Sequence, residues 1–197
     1  MGKITKISKS RKEFRCSKCG ATIPKGSTYY RGSLNFSHDI IRCNSCKLEP
    51  WEVTTSDYQK SVGEIIHRWR ENFGVDEETT NMLSDELGYI QEDLQDRLDS
   101  MPEGLQEGDI GQLLQERIDN LESCIDELTD IDIDDIKSEI VYMINSEEKD
   151  ISVPEGEDSN DYDVIFDANE SLQEQMAEAF TDLLSSAIDN ALDYLEV

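Results

Sequence analysis

The sequence predicts a chain of two unlike parts, a small β module organised around four cysteines and a mainly α-helical acidic region. Three observations carry that expectation. Cys16-Ser17-Lys18-Cys19 and Cys43-Asn44-Ser45-Cys46 are two Cys-x-x-Cys pairs separated by 23 residues. Residues 1–51 hold 11 Lys/Arg against three acids, a formal +8, whereas the other 146 residues hold seven against 42, a formal −35, which together give the −27 of the chain. After Asp76, finally, apolar residues recur every three or four positions, the spacing of a helix with one buried face.

Two tight cysteine pairs with a turn-rich segment between them fit a four-thiolate metal site, because each pair bends around one ion and gives two sulfurs to a tetrahedron. The predicted ligands are Cys16, Cys19, Cys43 and Cys46, and the predicted cofactor is one structural Zn²⁺. His38 lies between the pairs, but four sulfurs already fill a tetrahedron, so it is expected at the surface. A Cys-x-x-Cys pair is a poor structural disulfide, and the fifth cysteine, Cys124, has no obvious partner.

Gly20 supplies the left-handed backbone that a metal knuckle needs, and Ile23-Pro24-Lys25-Gly26 reads as a turn between short strands. Thr28–Gly32 and Ile40–Arg42 read as the arms of a β-hairpin. Two knuckles and a hairpin make a zinc ribbon, or a treble-clef relative if a helix follows Cys46 directly. Pro50 disfavours the second by holding Glu49 out of helix.

Lys3, Lys6, Lys9, Arg11, Lys12, Arg15 and Lys18 punctuate the first residues. They read equally as an arm that neutralises phosphates and as a solvated tail. Farther on, Arg31, Arg42 and Lys47 interleave with Tyr29, Tyr30, Phe36 and Trp51, the mixture a nucleic-acid surface uses for stacking and phosphate contact. In so small a module, Tyr29 and Trp51 are expected in the core, and Tyr30 and Phe36 stay open. The candidate contact residues are Lys9, Arg11, Lys12, Arg15, Lys18, Arg31, Arg42 and Lys47.

Phe14-Arg15-Cys16-x-x-Cys19-Gly20-x-x-Ile23-x-x-Gly26-x-x-Tyr29-Tyr30, followed by Ile41-Arg42-Cys43-x-x-Cys46, resembles the opening of a family of small zinc-ribbon proteins encoded by bacteriophages. In that family an acidic helical tail follows the ribbon, and Ile65-Ile66-x-x-Trp69-Arg70-Glu71-Asn72-Phe73-Gly74 with the Leu/Glu-rich repeats beyond it is similar in kind. The resemblance implies a phage accessory protein acting inside a bacterium, and no reaction.

The rest of the chain reads as helices. Ser56 opens one with a capping box, and Val62, Ile65, Ile66, Trp69 and Phe73 form its stripe before Gly74 stops it. Leu83, Leu87, Ile90, Leu94, Leu98 and Met101, then Ile110, Leu114, Ile118, Leu121, Ile125 and Leu128, predict an antiparallel hairpin with coiled-coil-like packing across the breakers of 102–108. Cys124, beside that second stripe, is expected as a small buried hydrophobe. Asp130-x-Asp132-x-Asp134-Asp135 resembles a calcium loop but lacks the glycine at its sixth position and the glutamate at its twelfth, so it reads as a turn into a helix with Ile136, Ile140, Met143 and Ile144 on one face. Residues 145–170 carry ten acids and one base and read as a linker or partly disordered segment. A last helix over 169–195 bears Leu172, Met176, Phe180, Leu183, Ala187, Ala191 and Leu195, either folded back or paired with a second subunit. The expected divisions are thus 1–52, 53–145, 146–168 and 169–197.

Function classes narrow accordingly. No apolar run reaches the roughly 18–20 residues of a membrane span, and the basic N-terminus lacks a secretory core, so a cytoplasmic protein without membrane contact is expected. His67 falls on the polar side of its helix with no nucleophile near it in sequence, four sulfurs leave zinc no open position, and the carboxylates have no His or Lys constellation, so no enzyme is expected. The leading expectation is a non-enzymatic zinc protein contacting nucleic acid, or a nucleic-acid-handling protein, through its basic module, with the helices available for homo-oligomerisation. The alternative is an acidic inhibitor mimicking nucleic acid. Segments 76–101 and 109–130 carry nine and seven acids. Over a helix of about 39 Å, at a rise of about 1.5 Å per residue, that is about one charge per 2.4 Å, against about 1.7 Å along duplex DNA.

Overall fold

The computed structural model describes residues 2–33, 39–72, 76, 78–146 and 151–195, with the side chains of 71 and 72 excepted. Phe36, His38, Phe73 and Gly74 lie outside the described residues, and with them the expectations placed on them. The chain divides into two compact units, Met1–Arg68 and Trp69–Leu195.

The first unit holds two small antiparallel sheets. β1 (Lys3–Ile7), β4 (Tyr29–Ser33) and β5 (Ile40–Cys43) form a three-stranded sheet in the order β1-β4-β5, with Thr5 opposite Arg31 and Arg31 opposite Ile41. β2 (Phe14–Arg15) and β3 (Thr22–Ile23) pair as a short hairpin. The expected β4/β5 hairpin is present. The expected arm or tail over the first residues is corrected at its start, because Lys3–Ile7 is an edge strand. Ile4, Thr5 and Ile7 have the branched side chains that suit a pleated surface, and the two lysines keep the edge charged.

A single 3-10 turn, Pro50–Val53, covers one sheet face. Pro50 takes its first position, where the missing N–H costs nothing, while Glu49 stays extended. Gly32 lets the turn approach: a Cβ there would come within 2.4 Å of Val53 and 2.5 Å of Leu48. The Gly2 amide donates to the Val53 carbonyl at 2.7 Å.

α1 (Asp57–Asn72) starts where expected, with Ser56 Oγ accepting from the Gln59 amide at 3.3 Å, and buries Tyr58, Val62, Ile65 and Trp69. Gly63 passes so close to Trp51 that a Cβ would lie 2.3 Å from it, and the rings of Trp51 and His67 stand 5.6 Å apart. The two units divide within α1, between Arg68 and Trp69.

In the second unit, α2 (Thr79–Asp99) and α4 (Asp109–Thr129) pack as the expected hairpin, burying Leu83, Leu87, Leu94 and Leu98 on one helix and Ile118, Leu121, Cys124 and Leu128 on the other. The connection carries a single turn, α3 (Glu103–Gln106), and Gln106 Nε2 donates to the carbonyls of Leu98 and Met101 at 3.1 and 2.9 Å. Ile110, expected in the core, is exposed instead. Gly111 takes its place, because the Gln106 backbone lies where a Cβ on Gly111 would be.

α5 (Ile133–Ser146) follows Asp132, whose Oδ1 accepts from the amides of Asp134 and Asp135 at 2.9 and 3.3 Å. It buries Ile140, Val141 and Ile144, with Val141 rather than Met143 inside. Within the stretch expected as linker, Tyr162–Ala168 is a helix, α6, capped by Asp161 and burying Ile165 completely. Its Tyr162, Ile165 and Phe166 share one face, which joins Ile140, Val141, Ile144, Leu172 and Met176 in one core. Buried Asn169 clasps this arrangement, accepting from the Ser152 amide at 2.8 Å and donating to the carbonyls of Ser152 and Ile165 at 2.9 and 2.8 Å.

α7 (Glu170–Leu192) packs on α4, α5 and α6. Its N-terminal half buries Leu172 and Met176 as expected, while the C-terminal half buries Leu184, Ile188 and Leu192 beside Ala191. Serving different partners at its two ends, the helix needs a stripe that shifts by one position. No described helix is long and apolar enough to cross a membrane.

Candidate metal centre

The four cysteines converge from two turns. Cys16 leaves β2, and the chain reverses through Ser17–Gly20, with the Gly20 amide donating to the Cys16 carbonyl at 3.0 Å and the Cys16 amide to the Ala21 carbonyl at 2.9 Å. Gly20 makes this reversal at φ +71°, a conformation L side chains rarely adopt. Cys43 ends β5, and the Cys46 amide returns to its carbonyl at 3.1 Å. The turns are tied together by Ser17, whose amide and hydroxyl donate to the Ile41 carbonyl at 2.8 and 2.6 Å.

This brings all four Sγ atoms within 4.8 Å of one another, the Cys19 and Cys43 sulfurs standing 3.8 Å apart. One wall is apolar: Ile23 and Tyr29 are buried beside Cys16, with Ile7, Phe14 and Ile41 packed around them. Phe14 and Tyr29 meet at 5.0 Å between ring centroids. Tyr29 is thus the core residue expected, whereas Trp51 is half-buried against α1.

The sulfurs differ in environment. Cys16 is buried, Cys43 and Cys46 half-buried, and Cys19 exposed. Burial pushes the Cys16 thiol up, but N–H groups of Cys19, Cys43 and Lys18 aimed at its sulfur outweigh this and bring it down to about 6. The Cys43 amide is one of them, at 3.4 Å. Cys46 is pushed up to about 12, first by hydrogen bonding with the Cys19 and Cys43 sulfurs, then by burial and the negative charge of Cys16. One thiolate is therefore ready near neutral pH and another strongly resisted. Four thiolates this close repel one another until a cation sits among them, and the four cysteines are positioned to bind one metal ion.

The candidate contact residues separate into groups. Lys9, Arg11, Lys12, Arg15 and Lys18 are all exposed on the segment from the end of β1 through the first knuckle. That segment is pinned by buried Ser10, whose Oγ lies 2.8 and 2.9 Å from the carbonyls of Lys12 and Pro24 and accepts from the Gly26 amide at 3.1 Å. Lys25, exposed in the turn that Ser10 holds, joins this group; its place beside Pro24 and Gly26 was the available signal. Lys47 is exposed past the second knuckle. Arg31 is exposed but pairs with Asp39 at 2.7 Å, and the contact raises its pKa further. Arg42 turns inward, its two terminal nitrogens bound to Ser17 Oγ and Glu52.

Compared with known protein families, with curated proteins and with solved structures, the chain matches none.

Proposed function

We propose that this is a non-enzymatic zinc protein whose basic module contacts nucleic acid. A tetrahedral zinc with Zn–S bonds of about 2.3 Å separates its sulfurs by about 3.8 Å. The Cys19–Cys43 separation of 3.8 Å supports that metal. Four thiolates leave no coordination position for substrate, so the ion folds the module rather than reacting.

The observation that carries the nucleic-acid reading is the exposed cationic rim on the segment that Ser10 ties together. Lys9, Arg11, Lys12, Arg15, Lys18 and Lys25 are opposed within residues 9–25 only by Glu13. Phosphate contacts made by such side chains release counterions, so affinity falls steeply as salt rises. The test uses the purified full-length protein: metal analysis, and titration against single-stranded and duplex DNA and RNA at two salt concentrations. One zinc per chain and salt-sensitive binding are expected. Absence of affinity at low salt would sink the nucleic-acid reading, and a metal-free protein would sink the zinc.

A second reading rests on the opposite charge. From Asp85 to Asp130 nearly every carboxylate of the α2/α4 hairpin is exposed, and Arg97 pairs with Asp93 at 2.7 Å. Such a surface suits the basic cleft of a nucleic-acid-binding protein. Retention of a host nucleic-acid-binding protein by the hairpin, released by added DNA, is expected on this reading; retention unaffected by DNA argues against mimicry.

A further inference from the structure

The tip of the α2/α4 hairpin combines exposed apolar side chains with a run of exposed acids. Leu105 on α3 is 57% exposed, and Ile110 and Leu113 on α4 are 67% and 44% exposed. Ile110 and Leu113 lie one turn apart and so present adjacent side chains. Leu105 belongs to the same end, because α3 lies against the first turn of α4 with the Gln106 backbone on Gly111. The fold has no need of these residues in its core: Leu98, Ile118 and Leu121 are buried without them.

Asp99, Glu103, Glu107, Asp109 and Glu116 surround that apolar surface in sequence, and no Lys or Arg occurs between Arg97 and Arg117. All five acids are exposed. This charge selects the occupant. A second copy docking tip to tip would bring ten carboxylates together, and an anionic lipid surface or a nucleic acid would be repelled in the same way. A basic partner alone gains from both the apolar contact and the charge.

We propose that the hairpin tip is a docking site for a basic amphipathic protein segment, seated through Leu105, Ile110 and Leu113 and held by the acids around them. The proposal rests on the second reading above and adds to it an apolar anchor, which charge mimicry alone does not require.

The test uses the full-length protein and a synthetic 14-residue helical peptide with leucine on one face and lysine elsewhere, alongside a peptide of equal charge with serine for leucine. The leucine peptide is expected to bind at least ten-fold more tightly than the serine peptide. Ile110→Ser/Leu113→Ser, which leaves charge and core unchanged, is expected to remove that advantage, whereas Tyr142→Ser, at an exposed site on α5, leaves it intact. Equal binding of the leucine peptide by wild type and double variant would overturn the apolar anchor while leaving the acidic-surface reading standing. No binding of either peptide would overturn both. Self-association in sedimentation that the double variant abolishes would overturn the choice of a basic partner in favour of a second copy.

Discussion

Arg42 and Glu52 meet at 2.5 Å, guanidinium to carboxylate, with side chains only 12% and 14% exposed. The pair joins β5 to the 3-10 turn, and the other Glu52 oxygen accepts from the Glu49 amide at 3.0 Å. Removing the cation leaves a half-buried carboxylate with one partner lost. Arg42→Ala is therefore expected to cost the first unit about 2 kcal/mol, read as a lower denaturant midpoint for metal release. Arg31→Ala, at an exposed pair, is expected to leave that midpoint unchanged. Equal effects would show that burial does not set the value of the Arg42 contact.

Substitution separates the cysteines into two kinds. Cys16→Ser is expected to abolish zinc retention, since three thiolates remain and the best-prepared one is lost. Cys124→Ala keeps the metal and lowers the stability of the helical unit by about 1 kcal/mol, the cost of a small buried group. Burial pushes the Cys124 thiol up to about 12, so it stays neutral among the helices. Metal analysis and thermal melts of both variants decide the matter.

Protons compete with the ion for the thiolates. With Cys16 held down to about 6, its thiolate form favours the folded site at high pH, an advantage that fades between the ordinary 9.0 and about 6 and is gone below. Zinc affinity is therefore expected to fall as the pH is lowered, because protons reclaim the thiolates. Because Cys46 sits at about 12, uptake near neutrality expels its proton. Calorimetric zinc titrations in buffers of different ionisation enthalpy should therefore give different heats, and identical heats would contradict this.

Two helical glycines behave oppositely. Gly88 on α2 has nothing within 4 Å of a would-be Cβ, and Gly88→Ala is expected to stabilise by about 0.5–1 kcal/mol through helix propensity. At Gly111 the same change drives a methyl into the Gln106 backbone, at 2.1 Å, and is expected to cost about 1–3 kcal/mol. Chemical denaturation of the two variants compares them directly.

Ser10 offers a test of how the basic rim is held. Ser10→Ala removes the hydroxyl that links Lys12, Pro24 and Gly26. Faster amide hydrogen exchange at Gly26 is expected, with the zinc retained. Unchanged exchange would mean that the backbone bonds of Ser10 suffice.

The features most legible in the sequence are those set by spacing. Cysteine pairs and glycines fix the knuckles wherever the chain goes between them, and the 3.5-residue repeat from Leu83 to Leu128 must pair with something of like period. What escaped has another origin. β1 hides because Lys3 and Lys6 alternate with its apolar residues, and only pairing with β4 makes them a strand. α6 hides because ten acids dominate its surroundings, although Asp161, Tyr162, Ile165 and Phe166 carry a cap and a face. Ile110 has the right phase for the core and is displaced by a backbone contact at Gly111. The inward turn of Arg42 depends on where Glu52 lands, a tertiary fact no local pattern holds.

The four cysteines differ in exposure, which would matter to how an ion is reached from outside. Cys16 is shielded by Ile23 and Tyr29, whereas Cys19 faces solvent beside a glycine that leaves its turn open. All four cysteines are placed to share one ion, and of the four Cys19 is the exposed one. On the zinc reading proposed above, affinity would belong to all four cysteines together, while a competing thiol or chelator would meet the site first at Cys19.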